Sequence, residues 1–259
     1  VTTLSSYLTV ANNMEKWQTI TQKSPDVSLQ VKYFKDNIGK IKSADELIKN
    51  TRLFNFAMTA FGLGDMTYAK GLMKQVLHQG VAETDALANR LNNPNIRAFA
   101  KTFDFAANGA STTSSATLEA DVVNRYTEQS LEKTQGQQNP GVQLALYFRR
   151  NAPNVTSVYG LLADKNLLKV VQTALGISPM TSAQPIDTQA RLLTSKVKLA
   201  DFQNPKKLEA FISRFAAMYD STAGGADSAG SAANAILFDA SSSTAMDVNL
   251  LLNLQNLKK

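Results

Sequence analysis

Slid against itself by 114 residues, the chain matches. Tyr33-Phe34 falls on Tyr147-Phe148, Asn37 on Asn151, Ser43 on Ser157, Leu47 on Leu161 and Leu53 on Leu167. Thr59-Ala60 falls on Thr173-Ala174, Gly62 on Gly176 and Met66 on Met180. That is ten identities over the 34 gap-free positions from 33 to 66, where composition alone gives roughly two or three. The match resumes after a small gap, with Leu87-Ala88 on Leu199-Ala200 and Asn93-Pro94 on Asn204-Pro205. The matched residues are ones that fold a chain: serine starts a helix, leucine buries a face, glycine ends the helix and Asn-Pro opens the next. The pattern predicts two copies of one multi-helix unit, about 3–106 and 117–219. The first helix, from Thr3-Leu4, would overlay the helix from Thr117-Leu118.

Within each copy the apolar spacing is helical, and no long alternating strand pattern occurs. Leu4, Leu8, Ala11, Met14, Trp17 and Ile20 mark one face of a first helix over 3–21. Ser24-Pro25-Asp26 breaks it, and Leu29, Lys32, Tyr33 and Asp36 fit a short second helix ending near Gly39. Ser43-Ala44-Asp45-Glu46 reads as a capping box, with the Ser43 hydroxyl accepting from the Glu46 amide and Glu46 reaching back to the Ser43 amide. The helix it opens ends at Gly62, a position for a left-handed cap. Further helices are predicted over 66–79, 83–91, from Asn93-Pro94, and over 118–134. The stretch Gln135 to Pro140 reads as a loop. The expected fold is an all-α helical bundle of two tandem repeats, 1–110 and 111–220, packed as one domain or as two bundles sharing a face.

Residues 221–259 differ. Their Ser/Ala/Gly-rich start buries too little apolar area to repay ordering entropy, which predicts a flexible linker. Leu250, Leu251, Leu254 and Leu257 then share one helical face. So short a helix needs a partner in water, whether its own bundle, a second copy or another protein.

Composition removes much chemistry. The chain has no cysteine and one histidine, His78, so thiolate sites, cysteine nucleophiles and multi-histidine metal sites are excluded. No P-loop, nucleophile elbow, metalloprotease or calcium-loop pattern occurs. Gly62-Leu63-Gly64 lacks a third glycine and follows a helix, so it is not a dinucleotide fingerprint. His78 reads as a surface group near a helix C-terminus, and Trp17 as core. The formal charge of +6 is spread as +4 over 1–110 (13 basic, 9 acidic), +3 over 111–220 (12 and 9) and −1 beyond (2 and 3). Nothing is clustered enough for nucleic acid. Val1 to Leu8 has no signal-peptide pattern, and no window has the run of about eighteen apolar residues a membrane helix needs. The chain is thus expected to be soluble and without membrane insertion, in the cytosol or exported without a cleaved signal.

Several strings carry a resemblance. They are Tyr33-Phe34-Lys35-Asp36-Asn37-Ile38-Gly39-Lys40, Arg52-Leu53-Phe54-Asn55-Phe56-Ala57-Met58 and Gly62-Leu63-Gly64-Asp65-Met66-Thr67-Tyr68-Ala69-Lys70. The second half adds Gly141 to Phe148, Leu167 to Gly176 and Leu199-Ala200-Asp201-Phe202. Together they resemble an alphaproteobacterial family, domain of unknown function 1217 (DUF1217), over about 1–220. The resemblance implies no catalytic residues and no cofactor. It implies a flagellar context, since members are similar to proteins encoded among flagellar genes. Flagellar axial proteins usually lack cysteine and pair apolar helices from both ends. The expectation is a non-enzymatic flagellum-associated structural or assembly protein, contacting flagellar proteins or itself through Leu4, Leu8, Met14, Leu250, Leu251, Leu254 and Leu257. No small-molecule substrate is expected. The alternative is a cytosolic flagellar export chaperone or regulator that holds a subunit in a groove between the repeats. A third reading is a hydrolase or transferase with an unfamiliar site.

Overall fold

The structure, a computed structural model, describes residues 1–223. Leu250, Leu251, Leu254 and Leu257, and with them the predicted terminal helix, lie outside the described residues.

The described chain is all-α, with no strand among these residues. In order, its helices are α1 (Thr3–Ala11), α2 (Met14–Lys23), α3 (Pro25–Ile38), α4 (Ala44–Lys49) and α5 (Thr51–Ala60). Next come α6 (Lys70–Gln79), α7 (Leu87–Arg90), α8 (Pro94–Thr102), α9 (Phe105–Asn108) and α10 (Ala116–Gln138). The last are α11 (Pro140–Asn151), α12 (Val158–Ala163), α13 (Lys165–Leu175), α14 (Ile186–Lys196) and α15 (Pro205–Ala223). Short 3-10 turns link several of them.

Several local bonds recur 114 residues apart. Ser43 accepts from the Glu46 amide at 3.2 Å and Ser157 from the Gly160 amide at 3.1 Å. The Asn37 side chain donates to the Tyr33 carbonyl at 2.8 Å, and Asn151 to the Tyr147 carbonyl at 2.9 Å. Gly62 and Gly176 end α5 and α13 at φ 73° and 62°. After them the Leu63 amide donates to the Met58 carbonyl and the Ile177 amide to the Gln172 carbonyl, both at 2.8 Å. That bond follows a left-handed residue, a conformation glycine adopts without steric cost. Leu47 and Leu161, Leu53 and Leu167, and Phe34 and Phe148 are all fully buried.

Other local expectations need correction. The first helix is two helices, broken at Asn12-Asn13, where the Asn13 side chain donates to the Thr9 carbonyl at 3.0 Å and competes with the backbone. Its buried face is Thr3, Tyr7 and Val10 instead of Leu4 and Leu8. The second helix starts at Pro25 and buries Val27, Val31, Phe34 and Ile38. The helix opened by Ser43 stops at Lys49, and Asn50 caps α5 by accepting from the Leu53 amide. Glu46 accepts from the Lys42 amide at 2.7 Å instead of completing the box on Ser43. The glutamine-rich stretch is helical to Gln138, as glutamine's good helix propensity allows. Helix α6 begins at Lys70, after a 3-10 turn at Gly64–Met66.

The apolar residues form two clusters. The first takes α3 to α9 and, from α10, Leu118, Val122 and Val123. The second takes α11 to α15, Leu131 from further along α10, and Tyr7 and Val10 from α1. So the packing does not follow a 1–110/111–220 division. The 23-residue α10 spans both clusters, and α1 crosses to the second.

Polar bonds seat α1 there. The Thr3 amide donates to Asp220 at 2.9 Å, and the Asn139 side chain donates to the Thr3 hydroxyl at 3.0 Å. The Tyr7 hydroxyl donates to Glu209 at 2.8 Å, and Arg149 donates to the Ala11 carbonyl at 3.1 Å. The close approach depends on Gly141 in the first turn of α11. A Cβ there would stand 2.6 Å from the Tyr219 ring and 2.8 Å from the Thr3 methyl.

Candidate functional site

Of the residues expected to meet a partner, three are described. Leu4 and Met14 are half-buried against the second cluster, and Leu8 is 39% exposed. Ile20, on the same predicted face, is 50% exposed. The structure thus leaves Leu8 on α1 and Ile20 on α2 incompletely covered. Trp17 is half-buried, packed on the second cluster.

A concavity lies elsewhere, between the clusters. It is a cleft of about 570 Å³. One wall is α8 with the loop before it; the other is the end of α11, the following turn and the start of α12. Arg125 of α10 and Phe61 also line it, with the guanidinium 4.8 Å from the ring centroid.

A polar network ties the walls together. The Tyr147 hydroxyl donates to Asp164 at 2.6 Å and accepts from the Asn95 side chain at 2.6 Å. Asn95 also donates to Asp164 at 3.0 Å. The other Asp164 oxygen caps α13, accepting from the Asn166 and Leu167 amides at 2.9 and 3.0 Å. Gly62 sits against this network, where a Cβ would lie within 3.3 Å of Gln129 Nε2, Tyr147 Oη and Asn95 Nδ2. Asn93 donates to the Ala163 carbonyl at 3.3 Å, and Lys165 pairs with Asp65 across the same junction. Burial, reinforced by the Asp164 carboxylate, holds the Tyr147 hydroxyl far above the ordinary tyrosine range. It is therefore a fixed donor at neutral pH, and the network is built to hold two walls together.

Behind the cleft lies a smaller groove of about 300 Å³, lined by Met14, Leu131, Leu146, Glu128, Arg149 and Glu132, with Arg150. Arg150 lines both cavities. Its guanidinium donates twice to Glu132, at 2.8 and 3.1 Å, and lies 3.7 Å from Glu128. Burial holds the Glu128 carboxyl above its ordinary range, against the opposing pull of Arg150 and Arg125.

That direction gives a signed prediction. The fold disfavours ionised Glu128 relative to the unfolded chain. The resulting cost is absent below the unfolded value of 4.5 and fully present above the raised folded value. Glu128→Gln keeps an acceptor for the Gln18 side chain, which donates at 3.0 Å. The variant should melt above wild type at pH 8, with the gap closing as the pH falls towards 4. A gap that widens on acidification would show the opposite sign.

Among the described residues no three His, Cys, Asp or Glu side chains gather as metal ligands, and no helix is long and apolar enough to cross a membrane. His78 is half-exposed and 3.2 Å from Asp45, which Lys74 also meets at 2.9 Å. Sequence reasoning gave no site role to Asn89, Asn95, Arg150 or Asp164, and read Tyr147 as a folding residue. One signal was available. At the 114-residue offset Asp164 faces Asn50, and each stands beside its own tyrosine: the Asn50 side chain reaches the Tyr33 hydroxyl at 3.4 Å.

A family model described as a protein of unknown function (DUF1217) matches residues 60–208. The crystal structure of protein AGR_C_984 from Agrobacterium tumefaciens is similar in sequence and fold. It is 35% identical with a TM-score of 0.77, and the match covers 85% of this chain and 96% of that one. No curated protein matches the chain.

Proposed function

Because the chain belongs to the DUF1217 family, we propose that it is a non-enzymatic structural or assembly protein of the bacterial flagellum, acting through protein–protein contacts at its terminal segments. The family resemblance supplies the flagellar context. The observation that supports a contact role is the exposure of apolar side chains on α1 and α2. Leu8 and Ile20 stand exposed there, beside half-buried Leu4 and Met14. The Thr3–Asp220 bonds hold the end of α15 against the start of α1. Apolar faces of this kind mark interaction surfaces.

The tagged protein should fractionate with flagellar structures or the culture medium, and a deletion strain should lose normal motility or filaments. Wild-type swimming with normal filaments in that strain would sink the reading. Retention in the cytosol bound to a flagellar subunit would favour the export chaperone or regulator instead. That second reading draws on the cleft, since it needs a groove between the halves of the chain.

A further inference from the structure

The cleft between the two clusters presents an unbalanced set of polar groups. Six asparagines line it; the Asn93 oxygen accepts from the Asn95 and Ile96 amides, and the other five are Asn89, Asn92, Asn95, Asn151 and Asn154. Each commits its amide nitrogen to a fixed protein acceptor: Asn89 to the Val81 and Glu83 carbonyls, Asn92 to Arg90, Asn95 to Tyr147 and Asp164, Asn151 to Tyr147 and Asn154 to Arg150. None of their side-chain oxygens accepts a hydrogen bond from the described residues. The Asn89 oxygen is fully buried and out of a ligand's reach, which leaves Asn92, Asn95, Asn151 and Asn154 to present acceptors.

The charge is equally one-sided. Arg97, Lys101, Arg125 and Arg150 line the cleft, and no aspartate or glutamate does. Arg125 and Arg150 have carboxylates behind them, Asp121 and Glu132. Arg97 and Lys101 are exposed and form no ion pair among the described residues.

A ligand that fits must donate N–H groups to the amide oxygens and bring negative charge to the cations. A bare phosphate or polyanion brings charge and no donors, so the asparagine oxygens would oppose it. Single-stranded nucleic acid would want aromatic platforms. The one aromatic ring here, Phe61, is buried beneath Arg125. An extended polypeptide has a backbone N–H at every non-proline residue, and acidic side chains or a terminal carboxylate can meet the cations. The volume, about 570 Å³, lies within the usual range of roughly 300–1,000 Å³ for ligand clefts.

We propose that this cleft binds an acidic segment of a partner protein in extended conformation, its backbone amides donating to the asparagine oxygens and its carboxylates paired with Arg97 and Lys101. The inference does not rest on the flagellar reading and survives its failure.

Anisotropy of the full chain with fluorescein-labelled peptides tests it. Octaglutamate should bind, and octaglutamine at least tenfold more weakly. A backbone N-methylated octaglutamate, which keeps the charge and loses the donors, should also bind several-fold more weakly. The double variant Arg97→Glu with Lys101→Glu should lose at least tenfold, about 1.4 kcal/mol, at an unchanged melting temperature, since neither side chain has a protein partner. Reversing Lys206 and Lys207, outside the cleft, should leave binding intact. Equal binding of the N-methylated peptide or of an eight-nucleotide oligothymidylate would overturn the proposal in favour of a general polyanion surface. Absence of octaglutamate binding at 1 mM peptide in low salt would overturn it as well, and so would indifference to the double variant.

Discussion

Replacing Glu132 with alanine should destabilise the protein by about 3 kcal/mol, lowering the melting temperature by roughly 6–12 °C. The Glu132 side chain is 6% exposed and that of Arg150 18% exposed. Their two parallel hydrogen bonds form one fork-to-fork contact. Removing the carboxylate strands a guanidinium between two cavities, with only Glu128 at 3.7 Å to compensate. The loss measures that stranded charge and not the net worth of the pair. Replacing both partners, Glu132→Leu with Arg150→Met, should therefore recover most of the loss, because an apolar pair of similar size needs no desolvated charge. Thermal unfolding followed by circular dichroism decides it. A single variant within 1 kcal/mol of wild type would mean that water already serves Arg150. A double variant as unstable as the single one would mean that packing, and not charge, is at stake.

A second large effect is expected in the cores. Leu53 in the first cluster and Leu167 in the second are fully buried. Truncating either to alanine should cost about 2–5 kcal/mol from lost transfer energy and the cavity left behind. The informative readout is Trp17, the only tryptophan, which packs on the second cluster. Helix α10 contributes to both cores, so the clusters should melt together. Leu53→Ala should then shift the tryptophan midpoint by as much as the circular dichroism midpoint. A tryptophan transition that stays at the wild-type temperature while helicity falls early would show two independent units.

The helical class was legible because it follows from spacing, caps and breakers, each a local property. Ser43, Gly62 and Asn93 act where the sequence places them because a cap needs only its own first or last turn. The faces were less legible. Leu4, Leu8, Met14 and Ile20 keep helical spacing, yet α1 turns Tyr7 and Val10 inward. The choice is made by Glu209, Asp220 and Asn139, which lie over a hundred residues away. The cleft was hidden for the same reason. Asn89, Asn95, Asn151 and Asn154 are common residues at helix ends and turns, and only tertiary packing gathers them. The match of Asp164 to Asn50 was the one visible clue, an acid where the other half carries an amide. The offset match also concealed how the halves share helices, because it compares positions and says nothing of which neighbour each one touches.

The clamp of Thr3 on Asp220 has a consequence for how the chain is made. Synthesis releases α1 before its seat, which is built from α11 and α15, more than a hundred residues downstream. Contacts of such long sequence separation are slow to close. Helix α1 thus leaves the ribosome before the helices that seat it, and Tyr7 and Val10 lack their full cover until α15 has emerged. A nascent chain halted before residue 205 can complete its first core but not its second. Helix α1 then remains open to whatever else can cover an apolar helix.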